Sequence, residues 1–270
     1  MNKQLVKVGV VGIGQQSNDN LIPAVLTSSF ANLMAICDID TKELKTASRR
    51  YNVENTYTNY VDLVNDPSIE AIIVASHPNV HYLVAKKAIE KGKHVFVEKP
   101  PVENIEQLTE LIDLNKKYRS AMTGVGMNFG FTEMSGALTK IIRDTAYFGD
   151  ITRIEINHHS SKPREPLWGY ESIADSFLLA QLIHPLHQML EIGGKVRDVS
   201  FRSSMHDSPL FVDVILDFTS GTIGILKCST YYPYFEHRVE IYGSNGLVAS
   251  VDNINQMKIV AEVERKNYFW

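Results

Sequence analysis

The sequence predicts a two-domain α/β protein, with a doubly wound parallel sheet over residues 1–125 and an α+β domain with a mainly antiparallel sheet over residues 126–270. In the first half, continuous apolar strands alternate with helical segments, which is typical of a parallel sheet covered by helices on both faces. Near residue 125 this rhythm ends. Strands of alternating polarity and turn signals such as Ser220-Gly221 then dominate, which favours an antiparallel sheet.

The elements of the first half follow a regular order of strand and helix. The predicted strands are KVGVVGI (7–13), ANLMAICDID (31–40), IEAIIVAS (69–76), KHVFVEK (93–99) and SAMTGVGM (120–127). The predicted helices are LIPAVLTSS (21–29), TKELKTASRRYN (41–52), YVDLVND (60–66), NVHYLVAKKAIEKG (79–92) and NIEQLTELIDLNKKY (104–118). A helix after each strand predicts crossover connections and therefore parallel pairing.

The second half contains two predicted helices and a larger number of strands. The helices span about residues 132–147 and 173–192, and the first is followed by the alternating strand DITRIEINHHS (150–160). The later strands are VRDVSFRSS (196–204), FVDVILDFT (211–219), TIGILKCST (222–230), HRVEIYGS (237–244), GLVASV (246–251) and MKIVAEVE (257–264). This order predicts an antiparallel sheet with helices on one face.

Composition excludes several classes of partner. The 270 residues carry a formal net charge of −4 with a sequence pI of about 6.1, so nothing favours nucleic acid or an anionic membrane as a partner. No apolar run approaches the ~20 residues of a membrane helix.

The two cysteines, Cys37 and Cys228, suit a reducing compartment, so a cytoplasmic protein is expected. The histidines show no metal-ligand spacing, and no metal is expected.

The stretch VGVVGIGQQSNDN predicts a Rossmann dinucleotide site. Gly12 and Gly14 follow a strand and precede a helix, and Gln15 lies in the same turn, where a pyrophosphate can approach the backbone. Ser17 occupies the third position of the pattern, where Gly or Ala is usual. Asp38 ends the second strand, where a carboxylate binds ribose hydroxyls and repels a 2′-phosphate, which favours NAD over NADP. Alternatively, Asp38 or Asp40 caps a helix and the glycines are only conformational.

The stretch GKHVFVEKPPVE places a charged pair at the end of a buried strand. Glu98 and Lys99 follow the apolar run, and Pro100 and Pro101 then end the strand and restrict the backbone. A fixed lysine at this edge of a parallel sheet is a candidate for proton transfer. The alternative is an ordinary pair of charges in solvent.

Together these segments resemble the Gfo/Idh/MocA oxidoreductase family, which includes inositol dehydrogenase. The resemblance rests on the G-x-G turn, on Asp38, on IIVASHPNVHYLVAKKAIEKGKHVFVEKP (72–100), on the stretch at 126–128 and on the later histidine helix. It implies an NAD(P)-dependent enzyme in which Lys99 lies near the nicotinamide and shares in proton transfer. It further implies that Glu98 orients the turn or the nicotinamide ribose, and that Ser76, His77 and His81 border the nicotinamide.

In the second domain the resemblance points to the helix SFLLAQLIHPLHQMLEIGG. It implies that His184 is the catalytic histidine, with His187 near it on one helical face. The family usually has an aspartate four residues before this histidine, where this chain has Ala180. Asn128 matches the family's Gly-x-Asn-x-Arg-Phe stretch, although Gly130 replaces the arginine.

The loop HHSSKPREPLWGYES (158–172) is a candidate for the substrate side. Lys162 and Arg164 are expected to bind a carboxylate or phosphate, and Trp168 to stack on a sugar ring. A solvated loop with one buried anchor is the alternative.

These patterns predict an NAD-dependent oxidoreductase for a carbohydrate-like substrate, a sugar, cyclitol or sugar derivative, assembled as a homodimer or homotetramer. The alternative is a non-catalytic protein that binds a nucleotide or metabolite on the same scaffold. Ala180 favours that alternative, as does the chain's ending in ERKNYFW, which is earlier than is usual in the family. A third possibility keeps an NAD enzyme but changes its chemistry to imine reduction, or to redox-assisted elimination or hydrolysis.

Overall fold

The computed structural model describes residues 5–205, 210–230 and 232–261. The chain divides into two compact units, residues 1–126 and 127–270. The terminal segment ERKNYFW (264–270) lies outside the described residues. No helix of the described ranges is long and apolar enough to cross a membrane.

The first unit is built on a parallel sheet of six strands in the order β3-β2-β1-β4-β5-β6. The strands are β1 (Val6–Val11), β2 (Ala31–Cys37), β3 (Asn55–Tyr57), β4 (Ala71–Val74), β5 (His94–Val97) and β6 (Thr123–Val125). The strand order reverses between β1 and β4, because the connections that follow these two strands run in opposite directions along the sheet. Such a reversal leaves a crevice at the carboxyl ends of the two strands, as in other doubly wound sheets. The prediction of this half is confirmed. Strand β3 was missed because its three residues, Asn-Thr-Tyr, are polar and largely exposed.

Helices cover both faces of this sheet, and two separate apolar clusters fill the space between. The helices are α1 (Ile22–Thr27), α2 (Thr41–Tyr51), α3 (Tyr60–Asn65), α4 (Pro78–Glu90) and α5 (Ile105–Lys117). One cluster centres on Val10, Ile22 and Ile36, and the other on Ile72 and Val84, all with 0% exposure. Because β1 and β4 are apolar on both faces, they belong to the centre of the sheet.

The second unit is a mainly antiparallel sheet of seven strands in the order β13-β12-β11-β7-β10-β9-β8, as predicted. Among the strand pairs of the described residues in this sheet, only that of β7 with β10 is parallel. The strands are β7 (Ile151–His159), β8 (Val196–Met205), β9 (Leu210–Phe218), β10 (Ile223–Ser229), β11 (Glu236–Gly243), β12 (Val248–Asp252) and β13 (Gln256–Val260).

The helices of this unit are α6 (Glu133–Arg143), α7 (Thr145–Phe148), α8 (Ile173–Phe177) and α9 (Ile183–Gly193). A single core joins Phe148, Phe177 and Met189 on the helices to Leu226 and Val239 on the sheet. The predicted helix over 173–192 is interrupted, because a π-helical turn at Leu178–Leu182 separates α8 from α9. Such a turn adds a residue to the helix and changes which side chains share its inner face.

Candidate functional site

The turn after β1 requires glycine at its first position. Gly12 has φ of +89°, and a Cβ at this residue would lie 2.2 Å from the carbonyl oxygen of Ala75. Gly14 and Gln15 are exposed, and a Cβ on Gly14 would meet nothing within 4 Å. The turn is therefore closed toward β4 and open on its outer side, as a ligand that approaches the backbone needs.

Ser17 holds this turn from the helix that follows. Its side chain is fully buried, and its hydroxyl donates to the carbonyl oxygen of Gly12 at 2.6 Å. Ser17 begins a π-helical turn, Ser17–Leu21, rather than a regular α-helical turn. A hydroxyl at the third position of the pattern thus supplies a hydrogen bond that glycine or alanine could not supply.

Asp38 joins two turns at the same edge of the sheet. Its carboxylate accepts the Ile13 N–H at 2.6 Å and the Asp40 N–H at 2.9 Å. The cap of α2 is Asp40, which accepts the N–H groups of Lys42 and Glu43. A carboxylate can accept about four hydrogen bonds, so two places remain on Asp38 for hydroxyl donors.

Glu98 is nearly buried and bound on both oxygens. One oxygen accepts from the Gln16 amide at 2.9 Å, and the other from the Lys99 N–H at 3.2 Å. Gly126 packs against this carboxylate so closely that a Cβ there would lie 3.0 Å from Oε2. Glu98 therefore ties the turn after β5 to the first helical turn of the chain and orients the backbone of Lys99.

Lys99 follows Glu98 at the carboxyl end of β5 and is half-buried. Burial lowers the pKa of its ammonium, and the nearby Glu98 carboxylate acts in the opposite direction. Because burial penalises the charged form, more of Lys99 is neutral near pH 7 than of an exposed lysine. A partly neutral lysine can accept a proton from a hydroxyl group.

The three residues expected beside the nicotinamide lie in the turn between β4 and α4 and in the first part of α4. Ser76 is half-buried, and His77 is an exposed N-cap residue with no side-chain cap bond. His81 is only 1% exposed, and both of its ring nitrogens bond backbone groups of this unit. Any contribution of His81 to a cofactor site therefore passes through the backbone that it holds.

In the second unit His184 lies in the first turn of α9, with 8% exposure. Its ring stacks on Phe129, with centroids 4.8 Å apart and planes 19° apart. His187, one turn later, is half-exposed, with Nε2 4.0 Å from Glu191. The two histidines expected on one face thus have different environments.

The sequence analysis did not predict a buried network of polar side chains beside His184. His158 on β7 and His237 on β11 are opposite each other, with their Nδ1 atoms 3.2 Å apart. His158 Nε2 lies 3.3 Å from Gln181, and His237 Nε2 lies 3.0 Å from Gln188. Burial lowers the pKa of His158 to about 4 and that of His237 to about 3, so both rings are neutral at pH 7.

One signal in the sequence could have identified this network of polar side chains. On β7 the inward positions alternate as Ile154, Ile156 and His158, so the third inward residue is polar. A polar residue at a buried strand position needs a partner, but the partner lies 79 residues away and has no local motif.

The remaining candidates lie on the surface or in the loop between β7 and α8. Asn128 is exposed in a short 3₁₀ turn, and Lys162 is exposed, with its N–H bonded to Ser160. The Arg164 guanidinium donates to the Ser161 carbonyl at 3.3 Å. Trp168 is half-buried and has φ of +55°, an uncommon conformation for a non-glycine residue. Across the described ranges, no group of three or more His, Cys, Asp or Glu residues could hold a metal ion.

The geometry fits a dinucleotide in the first unit. Gly12 forms a tight turn that no side chain obstructs, Gly14 is open, and Asp38 retains acceptor capacity beside the turn. The structure brings these residues to one edge of the sheet together with Ser76, Glu98 and Lys99, each of which follows the end of β4 or β5.

Known proteins similar to this chain span nearly its whole length. Residues 6–126 match the family model described as an oxidoreductase family with an NAD-binding Rossmann fold (GFO/IDH/MocA), and residues 137–249 match the GFO/IDH/MocA C-terminal domain. A myo-inositol 2-dehydrogenase of Thermotoga maritima is 25% identical, with 96% of this chain and 79% of that protein covered.

A second relative, an inositol 2-dehydrogenase/D-chiro-inositol 3-dehydrogenase of Lactiplantibacillus plantarum, is 30% identical over 60% of this chain and 46% of that protein. A solved structure, a dehydrogenase from Chromobacterium violaceum, is 34% identical with a TM-score of 0.90. That comparison covers 96% of this chain and 75% of the other chain.

Proposed function

Because the chain belongs to the GFO/IDH/MocA family of oxidoreductases, we propose that it is an NAD-dependent dehydrogenase or reductase that interconverts a CH–OH group and a carbonyl on a sugar, cyclitol or sugar derivative. The observation that carries this proposal is the position of Lys99. It is a half-buried lysine with a lowered pKa, on the edge of the sheet that also carries the Gly12 turn and Asp38. The relatives named as inositol dehydrogenases support the substrate class.

NAD is proposed as the cofactor in preference to NADP. A ribose would meet the Asp38 carboxylate, which can accept from its hydroxyl groups and would repel a 2′-phosphate. Gly14 and Gln15 would hold the pyrophosphate with backbone N–H groups, and Gly12, whose own N–H donates to the Cys37 carbonyl oxygen, would let the cofactor approach the turn. When bound, the nicotinamide supplies the acceptor or donor of hydride.

The proton is assigned to Lys99, which takes it from the substrate hydroxyl as the alcohol is oxidised and returns it in the reverse direction. Glu98 fixes the backbone of Lys99 through the 3.2 Å bond to its N–H. His184 is proposed as a second residue that handles the substrate hydroxyl. Candidates for further substrate contacts are Asn128, Lys162, Arg164, Trp168 and His187. Candidates for the nicotinamide side are Ser76 and His77, and His81 would contribute there only through the backbone groups that it bonds.

We also propose that the protein is cytoplasmic and forms a homodimer or homotetramer. The outward face of the second sheet supports an assembly, because Phe211, Ile215 and Ile223 share that face and are 44%, 42% and 41% exposed. The buried free cysteines, Cys37 and Cys228, accord with a reducing compartment.

A second candidate function rests on Ala180, which is 4% exposed where the family usually has a substrate-binding aspartate. Without that carboxylate the chain would bind a dinucleotide and a metabolite but not turn the metabolite over. This candidate differs from the first in activity and not in cofactor affinity.

The test titrates the protein with NADH and NADPH by nicotinamide fluorescence and then measures NAD reduction with inositol isomers, sugars and sugar acids. We expect tighter binding of NADH, and turnover that falls about 10²- to 10⁴-fold in Lys99→Ala with NADH affinity retained. The exposed Lys91→Ala is the matched control and should behave as the parent protein.

Normal turnover in Lys99→Ala would contradict the assignment of the base. Tight NADH binding without turnover of any substrate would favour the non-catalytic candidate.

A further inference from the structure

His81 holds two backbone groups that belong to two different turns. Its Nε2 lies 2.9 Å from the Ser76 nitrogen, in the turn after β4, and its Nδ1 lies 2.8 Å from the Pro100 carbonyl oxygen, in the turn after β5. The ring is 1% exposed, so water does not compete for either bond. The residue reaches both turns from the first part of α4.

The partners of His81 fix its protonation state. A backbone N–H can only donate, so Nε2 must be the unprotonated acceptor from Ser76. A carbonyl oxygen can only accept, so Nδ1 must carry the proton and donate to Pro100. Burial also lowers the pKa of His81. A neutral ring with its proton on Nδ1 is the form that satisfies both bonds.

We propose that His81 is a positioning residue for Lys99, because its Nδ1–H group holds the carbonyl of the residue that follows Lys99. Lys99 is thereby fixed from both sides along the chain. Glu98 accepts from the N–H of Lys99 itself, and His81 donates to the carbonyl of Pro100. The direction of the Lys99 side chain depends on these two backbone constraints.

The geometry distinguishes this role from two simpler ones. A histidine that only fills the core would not need two backbone partners from turns 24 residues apart in the chain, Ser76 and Pro100. A histidine that contacts a cofactor directly would need a ring nitrogen directed outward, whereas both nitrogens of His81 are bonded inside the first unit.

This inference rests on the proposed role of Lys99 as a base, and its test therefore uses a readout that needs no substrate. The lysines are dimethylated with ¹³C, and the pKa of Lys99 is followed by NMR, with Lys99→Arg to assign the signal. His81→Gln places an amide near the Nε2 position and loses the Pro100 bond. His81→Asn places an amide N–H near the Nδ1 position and can retain it.

We expect the Lys99 pKa to rise by about 0.5 or more in His81→Gln, because the turn relaxes and Lys99 gains contact with water. In His81→Asn it should stay near the parent value. His94→Gln is the control, since His94 also accepts a backbone N–H, from Met122 at 3.0 Å, but at the start of β5. An unchanged Lys99 pKa in His81→Gln, or equal rises in both His81 variants, would overturn the proposal.

A measurement on the unchanged protein covers the case in which a variant does not fold. The ¹⁵N shifts of His81 should report a proton on Nδ1 and none on Nε2 from pH 8 to pH 6, and a proton on Nε2 would overturn the proposal. If the protein shows no dehydrogenase activity but the Lys99 pKa responds as expected, the proposed function fails and the role of His81 stands. If it is active, His81→Gln should lower kcat about 10- to 100-fold with little change in KM.

Discussion

The two units bring polar residues together in different ways. At the edge of the first sheet, side chains bond mainly to backbone groups: Ser17 to a carbonyl, and Asp38 and Glu98 to N–H groups, although Glu98 also accepts from the Gln16 amide. Beside His184 in the second unit, the bonds run between side chains, as in the pair His158 and His237. A backbone partner is fixed by local turn geometry, whereas a side-chain partner exists only after distant elements have packed.

The largest expected difference between the regions is their response to acid. His158 and His237 are neutral in the folded chain, with pKa values lowered by burial to about 4 and about 3, and ordinary when unfolded. As pH falls below about 6.5 the unfolded chain binds protons that the folded chain does not, so the free energy of unfolding should fall by up to ~1.4 kcal/mol per pH unit for each histidine. Urea unfolding at pH 7, 6 and 5 measures this loss.

Tryptophan fluorescence makes the measurement specific to the second unit, because Trp168 and Trp270 both fall within residues 127–270. The double variant His158→Asn/His237→Asn should show a shallower dependence on pH, and the control His187→Gln should keep the slope of the parent. Equal slopes in the parent and the double variant would show that the buried pair is not the cause.

A smaller effect is expected from the glycine turn, where stability and binding can be separated. Gly12→Ala should lower the free energy of unfolding by about 2–3 kcal/mol, because its φ is positive and the added Cβ would contact the Ala75 oxygen. Gly14→Ala meets no neighbour, so it should leave stability nearly unchanged but weaken NADH binding. Amide hydrogen exchange of β1 and an NADH titration compare the two variants, and equal destabilisation would contradict the account.

The smallest expected effect concerns the hydroxyl that holds this turn. Ser17→Ala removes one buried hydrogen bond to Gly12 and should cost about 0.5–1.5 kcal/mol, with NADH affinity lowered less than by Gly14→Ala. The exposed Ser29→Ala serves as the control in the same urea titration. A variant as stable as this control would mean that water replaces the hydroxyl.

Much of the first region could be predicted because its signals are contiguous. Gly12, Asp38 and Lys99 each follow a strand, and the carboxyl ends of parallel strands meet at one edge of the sheet. The partners that hold them were not predictable in the same way. Gln16 bonds Glu98 from 82 residues away, and His81 bonds the Pro100 carbonyl from 19 residues away.

In the second region, the sequence did not predict the form of one helix. A regular helix was expected over 173–192, but a π-helical turn at Leu178–Leu182 lies between α8 and α9 and changes the helical register. Gln181 belongs to this turn, and its side chain lies 3.3 Å from His158 on β7. A hydrophobic pattern with a period of 3.6 residues does not reveal such a turn.

The sequence alone determined the alternation of strands and helices, the parallel and antiparallel halves, and the residues that end β1, β2 and β5. Local hydrophobic period and turn chemistry specify these features, and both are properties of a short stretch of chain. Only the tertiary structure decided which groups meet. The burial that lowers the pKa of Lys99 and the pairing of His158 with His237 require elements far apart in sequence to pack together and exclude water.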